Sequence, residues 1–184
     1  MTTTPITARA KKVRSALVIE DDADFGRQLT TLLREKLKFP RVAWAKSIKE
    51  AKACLQDESA RFVEVIFFDL VLQRLDRGRE ITAIRELAPG AKVIVLTAYD
   101  EPERIFRALC AGADSYLLKF DEVRPLERSI RQAIQQENIF SPAIADRVLQ
   151  HFHAMGRHER SAGFERLSEQ EQQVFLLLRA GFTD

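Results

Sequence analysis

The chain has 184 residues, 46% of them hydrophobic and 30% charged, with a formal net charge of +2. That balance is ordinary for a soluble globular protein, allows one good domain plus a fragment or two small domains, and argues neither for nor against nucleic acid. No apolar run approaches the ~20 residues of a membrane span, and Cys54 and Cys110 lack CxxC or disulfide spacing, which fits a reducing cytoplasmic compartment.

"MTTTPITARAKKVR" opens the chain without the apolar core of a secretory signal. Its Arg and Thr content weakly resembles a transit peptide, but residues 1–13 read better as a disordered basic lead-in. "SALVIE" (15–20) reads as a strand. In 22–39, Phe25, Leu29, Leu32, Leu33 and Leu37 recur at helical spacing. "RVAWA" (41–45) is a short strand. "SIKEAKACLQD" (47–57) is a helix opened by a Ser47/Glu50 capping box. "VEVIFFD" (63–69) is a strand, and a helix over 79–88 stops before Pro89-Gly90. "AKVIVLT" (91–97) is a strand, followed by a helix over 101–112 closed by Gly112. "DSYLLK" (114–119) is the fifth strand. A fifth helix covers 123–137 with Pro125 in its first turn.

Five strand–helix units in succession predict an α/β fold, a five-stranded parallel sheet doubly wound by helices. The strands at 63–69 and 91–97 are nearly continuous apolar runs, as strands buried on both faces must be. Beyond residue 138 the pattern changes. Residues 141–152 read as a helix capped by Ser141 with Pro142 at its first position, and 153–163 as a polar linker. Residues 167–181 read as a helix with a Ser168/Glu171 capping box and an apolar stripe of Val174, Leu177 and Leu178. A lone striped helix has nothing to pack on, so this last module is expected to be the start of a longer one.

Acids gather at strand ends. One strand ends in Glu20-Asp21-Asp22 and another in Asp69. Adjacent central strands of a doubly wound sheet bring their carboxyl ends together, where such folds bind ligands. Carboxylates that meet there repel unless a cation sits among them, and a hard, oxygen-liganded ion such as Mg2+ is the natural solution. A carboxylate beside Mg2+ can act as nucleophile in phosphoryl transfer. The strand at 91–97 ends in Thr97, followed by small Ala98, and the strand at 114–119 ends in Lys119. A hydroxyl and an ammonium there would complement a phosphoryl group. Each residue alone is commonplace; the four strand ends together carry the inference.

With "VIEDD", "FFDLVL", "VIVLTAY" and "GADSYLLK" in order and spacing over about two thirds of the chain, the sequence resembles a response-regulator receiver domain of two-component signalling, with its flavodoxin-like fold. The resemblance implies that Asp69 accepts a phosphoryl group from a sensor histidine kinase, which makes the chain a signalling acceptor and not an enzyme. It implies that Glu20, Asp21, Asp69 and the Val71 carbonyl hold Mg2+, and that Thr97 and Lys119 read the phosphate. Tyr116 matches the aromatic switch position; a strand aromatic packed under a helix is the plainer alternative. On phosphorylation Thr97 would move inward and Tyr116 rotate into the vacated space. The receiver would span 14–138.

The chain departs from the family pattern in three places. Gln73 stands where receivers usually carry proline. "LDRG" puts Arg77, one extra residue, before Gly78, so the loop after Asp69 is expected to be reshaped. Phe120 replaces the usual cis proline after the lysine. A non-proline cis bond costs ~2.5–4 kcal/mol, so Lys119–Phe120 is expected to be trans.

"LSEQEQQVFLLLRAGFTD" resembles the start of a LuxR/NarL-type helix-turn-helix domain through Leu167, Ser168, Glu171, Val174, Leu177, Leu178 and Gly181. That implies a linker helix and linker over 139–163 and a truncated DNA-binding domain over 164–184. The groove-reading helix and a basic footprint are missing from these residues, so DNA binding is expected only of a longer form. Homodimerisation on phosphorylation, a cytoplasmic location and a transcriptional output follow from the resemblance, with no membrane partner. His151, His153 and His158 read as solvated linker, since histidines two apart point to different sides of a helix. Two rivals stand beside this reading. A pseudo-receiver would bind proteins independently of phosphorylation. A haloacid-dehalogenase-like phosphatase would need an acid where Val71 stands.

Overall fold

Alternation along the strands decides how this chain folds. A computed structural model of the protein describes residues 15–57, 63–72, 75–76, 79–99, 101–120 and 125–135. In chain order the elements are β1 (Ser15–Ile19), α1 (Ala23–Thr31), β2 (Arg41–Ala45), α2 (Ile48–Gln56) and β3 (Val65–Asp69). There follow the two-residue strands β4 (Val71–Leu72) and β5 (Leu75–Asp76), then α3 (Glu80–Leu87), β6 (Lys92–Thr97), α4 (Pro102–Cys110), β7 (Ser115–Leu118) and α5 (Leu126–Gln135). Five strands form one parallel sheet in the order β2-β1-β3-β6-β7.

Successive strand residues point to opposite faces. Leu17, Ile19, Ile66, Phe68, Val93 and Val95 form one layer with Ala51 and Leu55 of α2, Ile81 and Ile84 of α3, and Ile105 and Ala108 of α4. Ala16, Val18, Phe67, Ile94 and Leu96 form the other with Leu29 and Leu33, at the end of α1 and just beyond, and Ile130 and Ala133 of α5. The expected doubly wound α/β sheet is therefore present, and β1, β3 and β6 are apolar through their middles, with polar residues only at their ends, because both faces are covered.

Several local details differ from expectation. The α-helix expected over 22–39 ends at Thr31 and continues as a π-helical turn, Leu32–Lys36. Leu37 N–H reaches the Leu32 carbonyl at 3.1 Å, and Phe39 N–H reaches the Leu33 carbonyl at 3.0 Å. Lys38 adopts a left-handed φ of 58° between them, and this wide turn keeps both Leu33 and Phe39 in the core. The capping box of α2 is shifted. Ser47 Oγ accepts from Glu50 N–H, but the Glu50 carboxylate accepts from Lys46 N–H and not from Ser47. Pro125 precedes α5 instead of lying in its first turn, and its carbonyl starts the helix by accepting from Arg128 and Ser129 N–H.

Gly112 closes α4 as expected, at φ 100°, with the paired bonds Gly112 N–H to Leu109 and Ala113 N–H to Ala108 that end a helix in a left-handed residue. After β3 the chain forms an antiparallel pair, Val71 with Asp76 and Leu72 with Leu75, too short to be read from periodicity. At the sheet edge away from the acids, Arg85 makes two bonds to the Asp114 carboxylate, which also accepts from Val93 N–H at 2.7 Å. Nearby, Lys92 Nζ donates to the Ala133 carbonyl of α5. Residues 1–14, the expected helices at 141–152 and 167–181, the linker, Gln73, Arg77 and Gly78 lie outside the described residues.

Candidate functional site

The carboxyl ends of β1, β3, β6 and β7 converge because these strands are neighbours in the sheet. Glu20, one residue past β1, has its N–H bonded to the Ala45 carbonyl of β2. Its own carbonyl accepts from the Trp44 indole N–H at 2.8 Å. Asp69 ends β3. Ligand atoms of Glu20, Asp21 and Asp69 all lie within 4.8 Å of one another. Asp22 does not join them; its carboxylate caps α1 by accepting from Asp24 and Phe25 N–H, which holds its pKa below the ordinary carboxylate value.

Lys119 bridges the two buried acids. Its Nζ lies 2.6 Å from Glu20 Oε2 and 3.0 Å from Asp69 Oδ2, and 4.5 Å from the centre of the Phe25 ring. The Lys119 N–H donates to the Thr97 carbonyl, so β6 and β7 still pair at the point where the ammonium turns in. The Lys119–Phe120 bond is trans, as expected. Phe120 is 75% exposed and meets Phe25 edge-on at 6.3 Å. Val71 N–H donates to Asp69 Oδ1 at 3.2 Å.

The electrostatics follow from burial. Glu20 is 2% exposed. Desolvation, then repulsion from Asp69, raises its pKa to about 7 against the pull of Lys119. Burial likewise raises Asp69, opposed by Lys119 and by Val71 N–H. Burial disfavours the Lys119 ammonium, but the Asp69 and Glu20 carboxylates outweigh it and raise its pKa. Crowded, desolvated carboxylates that resist ionisation are what a hard divalent cation relieves, and three oxygen donors suit Mg2+, which keeps waters on its other positions.

Glu20, Asp21, Asp69, Val71 and Lys119 line a cleft of about 600 Å³, together with Asp22, Ala98, Tyr99 and Arg104. Thr97 and Tyr116 stand behind this wall, both fully buried. Thr97 Oγ1 accepts from Tyr99 N–H at 3.3 Å, and the Tyr116 hydroxyl donates to the Tyr99 carbonyl at 3.0 Å. Tyr116 thus already occupies the inward position into which it was expected to rotate.

The family model for the response regulator receiver domain matches residues 16–131. The chain belongs to this receiver family. Its sheet of five parallel strands with helices on both faces is the CheY-like receiver fold. Similar curated proteins include the response regulator protein VraR of several Staphylococcus aureus strains, 28% identical over 121 residues, covering 66% of this chain and 56% of VraR. The chain thus spans a little over half the length of these relatives. Among solved structures, a LuxR-family two-component response regulator from Aurantimonas sp. SI85-9A1 aligns with TM-score 0.65 and 19% identity, covering 79% of this receiver chain and 98% of that one. A CheY-like receiver domain protein from Methanospirillum hungatei JF-1 aligns with TM-score 0.55 and 26% identity over 66% and 94% of the two chains.

Sequence reasoning missed Phe25, Trp44, Tyr99 and Arg104 around this receiver's cleft. Trp44 left a trace, a glycine inside α1. A Cβ on Gly26 would lie 2.3 Å from the indole ring, so the helix can carry only glycine there while the ring stays. Arg104 left none, since one arginine on an amphipathic helix is indistinguishable from a solvated charge.

Proposed function

We propose that this receiver is the phosphorylation-dependent input of a response regulator, with Asp69 as phosphoacceptor. The observation that carries the reading is the buried Glu20–Lys119–Asp69 cluster at the carboxyl edge of the sheet, with Asp21 beside it. Glu20, Asp21, Asp69 and the Val71 carbonyl would hold Mg2+, which when bound neutralises charge on the transferring phosphoryl group. An Asp69 carboxylate oxygen forms a bond to phosphorus as the phosphorus–nitrogen bond of a kinase phosphohistidine breaks, and the imidazole keeps that electron pair. The product is an acyl phosphate on Asp69.

Lys119, already at bonding distance from Asp69, follows the new charge onto the phosphoryl oxygens, and Thr97 supplies its hydroxyl. Tyr99 holds both Thr97 and Tyr116 through its backbone. A movement of Thr97 is therefore felt by Tyr116, and phosphorylation biases a pre-existing equilibrium toward the inward Tyr116 state. We further assign residues 1–13 to a lead-in, 14–138 to the receiver, 139–163 to a linker helix and linker, and 164–184 to the start of a LuxR-type DNA-binding domain. The full-length protein would act in the cytoplasm as a transcription regulator that dimerises when phosphorylated. Among the described residues no helix is long and apolar enough to cross a membrane.

Intact-mass analysis after incubation with acetyl phosphate and Mg2+ tests the assignment. A phosphate adduct is expected on the wild type and not on Asp69→Asn. An unlabelled wild type, under conditions that label an ordinary receiver, would replace this reading with a phosphorylation-independent binding module.

A further inference from the structure

Resting on that reading, we propose that Arg104 is a second phosphate-reading cation of the cleft, one that binds the phosphoryl oxygens of the incoming donor before transfer. Three observations converge on it. Arg104 lines the same cleft as Asp69 and Lys119 but belongs to a different element, the first turn of α4. Its side chain is 29% exposed while that of Lys119 is 9% exposed, so Arg104 stands toward the mouth and Lys119 at the floor. Its guanidinium carbon lies 4.7 Å from the centre of the Tyr99 ring, and its Nε lies 3.6 Å from Glu101 Oε2.

The charge balance leaves room for a further cation, since four carboxylates outweigh Lys119 even with a divalent ion bound among them. Four carboxylates line the cleft, those of Glu20, Asp21, Asp22 and Asp69. The ammonium at the floor is already shared between two of them. A dianionic donor approaching Asp69 meets that field before it can reach Lys119. A guanidinium at the mouth is suited to this approach, because it is always charged, weakly hydrated and able to offer two parallel N–H groups to two phosphoryl oxygens.

Its platform is anchored through the main chain. Tyr99 N–H is bonded to buried Thr97, and the Tyr99 carbonyl to buried Tyr116, so the backbone that carries the ring beneath the guanidinium is held from behind the cleft wall. Stacking on that ring orients the fork at little entropic cost on binding.

With acetyl phosphate the step is simple to follow. An Asp69 oxygen bonds to phosphorus, the bond from phosphorus to the acetate oxygen breaks, and acetate leaves with the electron pair. Arg104 acts before this step, so its loss should raise the donor concentration needed.

Initial labelling rates by intact mass, measured against acetyl phosphate concentration at saturating Mg2+, provide the test. Arg104→Gln is expected to raise the half-saturating concentration about fivefold to tenfold, the worth of a partly exposed charge-assisted bond. Arg104→Lys should fall between the two. Arg107→Gln, on the exposed face of the same helix, removes the same charge away from the cleft and should behave as wild type. Phosphoramidate should show the same Arg104→Gln shift, since it shares only the phosphoryl group. Wild-type saturation in Arg104→Gln overturns the inference, as does an equal shift in Arg107→Gln or a shift confined to acetyl phosphate. A wild type that never labels removes the phosphoacceptor reading and this inference with it.

Discussion

Replacing Gly26 by alanine is the sharpest single test of how the site is held. On an isolated helix the change stabilises by about 1 kcal/mol, because alanine restricts the unfolded chain. Here the new Cβ would lie 2.3 Å from Cζ2, 2.5 Å from Cε2 and 2.9 Å from Nε1 of Trp44. The ring is stiff, lies between α1 and β2, and carries the Lys46 ammonium 5.2 Å from its centre. It must shift, at the ~1–3 kcal/mol typical of overpacking. Shifting it also loosens the indole bond to the Glu20 carbonyl, worth about 1 kcal/mol. These losses exceed the helix gain, so Gly26→Ala should destabilise by roughly 2 kcal/mol. Equilibrium urea unfolding followed by the fluorescence of Trp44, the sole tryptophan of the chain, measures this directly. In a Trp44→Leu background, followed by circular dichroism, the same substitution should become neutral or stabilising by up to ~1 kcal/mol. Wild-type stability in the single variant, or strict additivity in the double, would sink the reasoning.

Two further outcomes follow from the acid cluster. Glu20 holds its proton more tightly in the folded chain (pKa about 7) than in the unfolded one (4.5). Its stabilising contribution is complete below pH 4.5 and lost as pH rises through 7; Asp69, also raised, acts in the same direction. In EDTA the melting temperature should therefore lose ground between these pH values, by the equivalent of on the order of 3 kcal/mol. Excess Mg2+ should restore more stability at pH 8 than at pH 5, and an equal Mg2+ gain at both refutes the linkage. Lys119→Met leaves two buried acids facing each other and should cost ~3 kcal/mol or more in EDTA. Thermal melts should show Mg2+ recovering part of that loss; an unchanged melting temperature in EDTA would mean Lys119 is not the counter-charge.

The sheet and its acids were legible because simple patterns carry them. Short, nearly continuous apolar runs at 15–20, 63–69 and 91–97, separated by segments of helical spacing, name the strands, and parallel neighbours must bring Glu20, Asp69, Thr97 and Lys119 to one edge. What the sequence hides depends on tertiary neighbours. The π-helical turn after Thr31 exists to bury Leu33 and Phe39 together, a demand of the sheet beneath and not of local propensity. The β4–β5 pair is two residues long, below any readable period. Trp44 reaches Glu20 and Gly26 from a strand at the sheet edge, and Arg104 stacks on a ring five residues earlier whose backbone is held from behind. None of these contacts has a spacing that marks it in one dimension.

The Arg85–Asp114–Val93 clamp has a mechanical consequence. It ties α3, the lead into β7 and the start of β6 at the edge opposite the acids, and Lys92 fastens α5 nearby. The sheet is thus a plank bolted at one end. The other end carries crowded like charges and the loops that bear Tyr99 and Phe120. A charge change at Asp69 acts at that other end, where the Lys119 bridge and the main-chain bonds of Glu20 and Tyr99 are the ties it would have to rearrange. Amide exchange should grade along β6 accordingly, slowest near Val93 and fastest near Thr97.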